Sequence, residues 1–558
     1  MAQNYFDVCI IGSGPAGTIT ALEYSKLNPG HNVLLVEYGD SKLGKENRLD
    51  NSIEINNLIN HHSPYECTNK GLGGTSATWG GRCVMYDEID FTDRPVIGEH
   101  NTWDLETFRE IKDSVLRTAE YFECGNPVFS LNEIPNSHNQ RIAENFREGI
   151  VTDSAVERWS MPTRFGKRYA AEIAARTNLI LLEGFEARNF SAPDKDGKVT
   201  SLVLKDIRTN ETRKIKATCF ILAAGAQEST RILLRNLQLF NNLPTPPDAL
   251  GKYYQGHISG KIASVHFFGD PKKTDYGFHR DEDGTYSRRR FQFDTAFLTK
   301  QNLLNTAIWL DNPLYFDPKH RSGAMSFMYL AMITPILGKK LAPPAIAHSV
   351  TKGKITGVHN HIWNIIRGFP GSVITPVSIF YKRYCLRRKL PGVFLFSPEN
   401  KYALHFHAEQ IPDANNRMEL GPDGEKLIIH YKIMDPDIHS VIRLHDELDK
   451  WLRACNCGKL EYWYSKDELP NAIRNMSKDG LHQSGTTRIA ESPEKGVVNK
   501  DLRLWGTSNV FVCSSSVFPT SSQANPTFLL GAYAVRLANF LTKNVFIKKN
   551  AYTSEHLV

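Results

Sequence analysis

Two groups of residues at opposite ends of the chain could act together. His482 lies in Gly480-Leu481-His482-Gln483-Ser484-Gly485-Thr486-Thr487-Arg488, and Asn525 opens Asn525-Pro526-Thr527. An imidazole takes up a proton near neutral pH, and a carboxamide does not titrate but can hold an oxygen by hydrogen bonding. One base and one orienting group suit the oxidation of an alcohol, in which the hydroxyl proton leaves and the carbon-bound hydrogen must be aimed at an acceptor. No side chain accepts two electrons from carbon, so a cofactor is required. Asp7-Val8-Cys9-Ile10-Ile11-Gly12-Ser13-Gly14-Pro15-Ala16-Gly17 is a place to lay a dinucleotide.

The elements that position this turn follow from local pattern. Residues 5–11 read as a buried strand, 18–27 as a helix, and Asn32-Val33-Leu34-Leu35-Val36-Glu37 as a second strand. Gly12 permits the tight turn, Gly14 lets backbone approach a pyrophosphate beside Pro15 and Ala16, and Gly17 lets the helix pack close. Glu37 ends the second strand 20 residues after Gly17, where an acid accepts hydrogen bonds from ribose hydroxyls and disfavours a 2′-phosphate. FAD or NAD therefore fits better than NADP. Two further segments favour FAD, whose extended form needs several contacts. Gly71-Leu72-Gly73-Gly74-Thr75-Ser76-Ala77-Thr78-Trp79-Gly80-Gly81 can press backbone against phosphates and a planar ring, and Cys219–Arg231 runs strand, Ala224-Gly225 turn, helix.

With these motifs the chain resembles the glucose–methanol–choline (GMC) oxidoreductases. The resemblance covers the amino-terminal third and the last 80 residues, and the middle loosely. Its most specific elements are Gly73-Gly74-Thr75-Ser76 with Trp79, and Asn509–Thr520 followed by Asn525-Pro526-Thr527. The segments Trp159–Gly166 and His407–Leu420 are similar to those of bacterial sugar- and polyol-oxidising members, and the histidine–asparagine ending is shared with pyranose oxidase. The resemblance implies that His482 is the catalytic base, that Asn525 is its partner, and that hydride passes to flavin N5. It also implies that Ser514, Ser515, Pro526 and Thr527 lie by the cofactor. Relatives that attach flavin covalently use a histidine just before the tryptophan; here that position is Thr78, so FAD is expected to be held without a covalent link. Ser514 stands where relatives carry Asp or Gly.

The expected architecture is α/β: a discontinuous Rossmann-like FAD-binding domain over 1–95, 150–255 and 476–558, a connecting helical segment over 96–149, and an α+β substrate domain over 256–475 built on an antiparallel sheet. Its strands are expected at 260–268, 402–409 and 426–431. Alternation on the second would put His405, His407 and Glu409 on one face, with His407, Glu409 and Gln410 as candidate substrate contacts and His405 as a core residue. The expected substrate is a secondary alcohol of a sugar, glycoside or polyol. A sterol or alicyclic alcohol is the alternative within the same chemistry. A membrane-surface protein that binds flavin without catalysis is a reading of another class, against which the presence of both His482 and Asn525 argues. Oxygen, a quinone or another carrier fits equally as electron acceptor.

Composition frames these readings. Hydrophobic residues at 41% and charged residues at 23% of 558 are those of a folded chain with a large core. The nine cysteines are scattered, and Cys455-Asn456-Cys457 is a lone close pair, so neither a disulfide framework nor a metal site is expected. A strand opening by Tyr5 leaves no space for a leader, and the apolar run Phe327–Leu337 is too short to span a bilayer. A cytoplasmic address is expected, with peripheral contact to the membrane's inner face. Net charge is +7, yet twelve basic and no acidic residues lie in 318–398, so the rest of the chain is net acidic. Basic residues interleaved with apolar ones suit an anionic membrane surface; nucleic acid is not expected, because no reader motif accompanies the charge.

Overall fold

The computed structural model describes residues 5–41, 52–98, 102–134, 141–334 and 357–544. β1 (Tyr5–Ile11), β2 (Val33–Glu37) and β3 (Leu179–Glu183) are parallel neighbours, with Val8 opposite Val33 and Val33 opposite Leu179. β4 (Phe185–Phe190) and β5 (Ser201–Asp206) form an antiparallel meander that continues into the first half of β6 (Thr212–Leu222). The second half of β6 pairs in parallel with Val510–Val512, and β6 also lies parallel to β1. This pairing brings the two ends of the chain together in one sheet. β1 and β2 are almost wholly buried, as continuous aliphatic runs in a sheet covered on both faces require. Helix α1 (Pro15–Leu27) begins at Pro15, earlier than the sequence pattern suggested, because proline suits the first helical position. α2 (Gly225–Arg235) follows β6 in the same way.

A second, antiparallel sheet has the order β8-β9-β7-β10, from β7 (His257–Phe267), β8 (Thr306–Asp311), β9 (Lys401–Glu409) and β10 (Gly458–Tyr462). The chain between β8 and β9 carries α3 (Gly323–Ile333), α4 (Val358–Arg367) and α5 (Gly371–Tyr384). Beyond β9, α6 (Asp435–Ala454) covers one face of the sheet, where Leu404 and Phe406 share a core with Val441, Leu444 and Leu448. The opposite face carries His405, His407 and Glu409. Leu427–His430 does not join this sheet: it pairs with Arg417–Leu420 and Ile53–Ile55, since its side chains alternate between buried and half-buried on a small separate ribbon. α7 (Pro526–Asn544) packs beside α1 and closes the described chain. Lys339, Lys340, Lys352 and Lys354 of the basic segment lie outside the described residues.

The polar face of the second sheet is held by a buried ion pair. Arg94 donates to both carboxylate oxygens of Glu409, at 2.6 and 2.7 Å, and both side chains are fully buried. Removing one partner of such a pair leaves an uncompensated buried charge. Arg94→Ala should therefore lower unfolding free energy by about 3–5 kcal/mol, measured by chemical denaturation; an unshifted midpoint would show that the pair does not constrain the fold.

Candidate active site

At the amino-terminal end, the three fingerprint glycines do different things. Gly12 has φ +99°, and a Cβ there would lie 2.5 Å from the Ala223 carbonyl oxygen. A Cβ on Gly17 would lie 1.9 Å from the Gly12 oxygen, so both glycines are fixed by packing within the protein. A Cβ on Gly14 would meet nothing within 4 Å, because Gly14 faces a cavity of about 620 Å³. Pro15 and Ala16, Ala224 and Gly225, and Pro526 and Thr527 also line the cavity, so the amino termini of α1, α2 and α7 converge on it. Their unpaired N–H groups and positive dipole ends favour an anion.

Glu37 ends β2 and lines this cavity, and its carboxylate is held by the protein. Oε2 accepts from the Ser13 N–H at 3.0 Å and from Ser13 Oγ at 2.6 Å, while Oε1 accepts from Gly39 and Gly71 N–H at 2.8 Å each. Four donors fill a carboxylate's acceptor sites. Glu37 thus ties the first glycine turn to the start of the second glycine loop. In that loop Gly74, Thr75, Ser76, Thr78, Trp79 and Gly80 line the cavity. Ser76 Oγ also donates to the Gly73 carbonyl at 2.6 Å, and Trp79 Nε1 donates to the Thr163 carbonyl at 2.8 Å. Gly73 is buried under the helix Phe165–Ala175, with a Cβ position 2.2 Å from the Gly166 nitrogen, so it serves loop packing.

At the other end of the cavity stand His482 and Asn525. The Asn525 amide donates to His482 Nε2 at 2.8 Å. His482 Nδ1 donates to Asp479 Oδ2 at 3.3 Å, and the same oxygen accepts from the His257 backbone N–H at 2.6 Å and ring Nδ1 at 3.3 Å. Asp479 Oδ1 accepts from the backbone N–H groups of Gly480, Leu481 and His482, at 2.7, 2.8 and 3.2 Å. Burial alone would push the Asp479 carboxyl up, but the His482 and His257 rings hold it well below the usual carboxylate range. The His257 ring stacks on that of His407 with centroids 4.0 Å apart, and His407 lies edge-on to His482 at 5.4 Å. Ring nitrogens of the three histidines all lie within 4.8 Å of one another. Burial lowers the pKa of His257, and it lowers that of His407 well below the usual histidine value, with His257 and Arg82 adding to the shift.

Other expected contacts are not free. Glu409 is engaged by Arg94 and also accepts from the Asn305 N–H at 2.9 Å. Gln410 accepts from the Gly256 N–H at 2.9 Å and donates to the Lys432 carbonyl at 2.8 Å. Each is fully buried with its polar atoms partnered inside the protein, so neither is available to substrate hydroxyls. Ser514 is buried and caps the turn Ser515–Val517, whereas Ser515 lines the cavity and donates to the Gln483 carbonyl at 2.6 Å. His405 stacks on Trp309, centroids 4.6 Å apart, away from His482. Asp479, His257 and Arg82 join the site without having been singled out by sequence. Asp479 stands three residues before His482, a spacing that could have suggested a helical-turn cap; His257 carries no local signal.

The cavity fits a phosphate-bearing flavin nucleotide. Besides the converging helix termini, Gln227 Oε1, Asn525 Oδ1 and Arg82 Nη2 are buried without a hydrogen-bond partner among the described residues, and all three residues line it. Residues 429–534 match the family model described as GMC oxidoreductase. That stretch of the chain is a GMC oxidoreductase carboxy-terminal domain. Among the chain's relatives is 6‴-hydroxyparomomycin C oxidase of Streptomyces lividus, 20% identical over 99% of this chain and 94% of the relative. The C-glycoside 3-oxidase of Arthrobacter globiformis is 35% identical over 12% of this chain and 13% of its own length. The fold is shared with an FAD-dependent oxidoreductase of Chaetomium thermophilum, with a TM-score of 0.53 at 15% identity over 98% of this chain and 100% of that one. The chain is an FAD-dependent enzyme that oxidises alcohols.

The glycine geometry separates folding from cofactor binding. Gly14→Val should leave the melting temperature of the apoprotein close to wild type while abolishing flavin retention on gel filtration. Gly17→Val should lower the apoprotein's melting temperature itself. Equal melting losses in both variants would contradict the assignment of Gly14 to the cofactor.

Proposed function

We propose that this enzyme converts a secondary hydroxyl of a sugar, glycoside or polyol to a ketone, with His482 as base and Asn525 orienting the same oxygen. The observation that carries this reading is the line from Asp479 through His482 to Asn525 at the end of the cavity. Because Nδ1 donates to a carboxylate, the Nε2 lone pair of His482 points toward the cavity. A hydroxyl replacing the Asn525 amide on Nε2 would meet an acceptor for its proton and an amide N–H for its oxygen. As the imidazole gains charge, Asp479 offsets it while remaining ionised. FAD, when bound, supplies the two-electron acceptor that no side chain provides.

Arg82 Nη2 and Asn525 Oδ1, buried and unpartnered among the described residues, belong to residues that line the cavity and make this end polar. Such groups are satisfied by a polyhydroxylated substrate and left unpaired by a sterol, which favours the sugar-like reading. A relative named C-glycoside 3-oxidase supports the same class. We assign the parallel-sheet part of the fold to the cofactor and the second sheet to the substrate. For the basic segment 318–398 we propose an anionic membrane surface as partner.

FAD is proposed to be held non-covalently. Thr78 offers only a weakly nucleophilic hydroxyl where the linkage would need an imidazole, and burial pushes the cavity thiols Cys67 and Cys513 up to about 12, so both stay protonated. Acid precipitation should release all the yellow colour into the supernatant; colour retained by the pellet would refute this.

Anaerobic mixing with a panel of sugars, glycosides, polyols and sterols should bleach the flavin with members of the first three groups. His482→Ala should keep its colour and bleach slower by about 10²–10⁴-fold. Asp479→Asn, which offers an amide to Nδ1 and so favours the other tautomer, should slow bleaching by a similar order, acting on kcat more than on KM. Undiminished bleaching in the His482 variant would remove it from the mechanism.

A further inference from the structure

Helices α4 and α5 present their side chains the opposite way round from helices on a water-facing surface. On α4 the buried residues are His361 and Asn364, and on α5 they are Ser372 and Pro376. The inward polar groups are partnered: His361 Nδ1 with Ser326 Oγ at 3.0 Å, Asn364 Nδ2 with the Pro318 carbonyl at 2.9 Å, and Ser372 Oγ with the Ile365 carbonyl at 2.9 Å. Facing outward are Trp363, Ile366, Phe369, Ile374, Val377 and Phe380, each between 51% and 71% exposed. Scattered exposed apolar residues are ordinary, but a contiguous ridge on two successive helices marks an interaction site.

Charge beside the ridge identifies what covers it. Arg367 ends α4, Lys382 lies near the end of α5, and Arg387 and Lys389 follow, all exposed, with no acidic residue anywhere in 318–398. Two other cations are used internally: Arg383 donates to the Leu390 and Pro391 carbonyls, and Arg388 to the Glu123 and Trp159 carbonyls, pinning this segment to the body of the protein. A second copy related by two-fold symmetry would set the same cations against each other. An anionic bilayer complements both features, with acyl chains for the ridge and headgroups for its basic margin. No described helix is long and apolar enough to cross a membrane, so the mode of contact is lateral.

We infer that α4 and α5 form a monotopic docking face whose apolar ridge enters the interfacial layer of an anionic lipid bilayer while Arg367, Lys382, Arg387 and Lys389 engage the headgroups. This rests on the membrane reading of segment 318–398 and assigns the contact to insertion rather than charge alone.

The test is flotation of the full-length holoprotein with phosphatidylcholine vesicles, with and without phosphatidylserine. Wild type should co-float with the mixed vesicles. The triple variant Trp363→Ser, Phe369→Ser, Phe380→Ser should bind at least tenfold more weakly while retaining flavin and turnover of a soluble alcohol. The triple variant Lys382→Gln, Arg387→Gln, Lys389→Gln should lose the preference for phosphatidylserine. Lipids brominated along the acyl chain should quench wild-type tryptophan emission, and Trp363→Phe should abolish that component, a readout that does not depend on the serine variant folding. Absence of co-flotation with either vesicle would end the membrane reading altogether. Full binding by the serine variant, or no quenching, would overturn insertion and leave only electrostatic attraction. A dimer that the serine substitutions dissociate, without flotation, would assign the ridge to a second copy and overturn the proposal.

Discussion

A single buried carboxylate organises the end of the cavity where His482 and Asn525 meet. Asp479 is almost entirely removed from water, where an isolated charge is very costly, and it is tolerated because four backbone N–H groups and two imidazoles surround it. Its anionic state fixes which nitrogen of His482 carries the proton. The same carboxylate ties the start of β7, through His257, to the loop that carries His482. The second sheet and the carboxy-terminal loop are therefore aligned by the group that sets the tautomer of His482.

Other buried charges hold the surrounding frame. Arg94 clamps Glu409 at the end of β9, and Glu157 accepts from both Arg82 and Arg288 beneath the inner face of the second sheet. These pairs explain why a face rich in ionisable residues is not a row of substrate ligands: most of its charge is consumed in keeping itself buried. Groups left unpartnered among the described residues at the cavity, such as Arg82 Nη2 and Asn525 Oδ1, are then the informative ones. At the cofactor end Glu37 follows the same logic. This acid at the cavity wall binds two glycine loops together, and the adjoining helix termini face the cavity.

The α3–α5 layer departs from the rest of the molecule in having a polar inner seam and an apolar outer surface. Hydrogen bonds to Ser326 and to the carbonyls of Pro318 and Ile365 make that inversion possible, since buried polar groups are tolerated once partnered. Composition alone marked this segment as basic. The direction in which its apolar residues point is a separate fact, and it distinguishes a solvated charged face from one built for an apolar partner.

The fingerprint from Gly12 to Gly17, the strand ending at Glu37 and the loop around Trp79 were legible in sequence because each is local: glycine conformation, aliphatic runs and turn residues act over a few positions. His482 and Asn525 were legible as residue types within recognisable flanks. What the chain could not reveal locally are pairings across large separations. Arg94 meets Glu409 from 315 residues away, and His257 meets Asp479 from 222. Only the folded sheet decides them, because β9 turns alternate side chains to opposite faces and register with β7 selects each neighbour. Local physics thus determined the cradle and the kinds of group that could react, while tertiary packing decided which carboxylates remain bound inside the protein, which nitrogen of His482 faces the cavity, and which side of α4 and α5 faces outward.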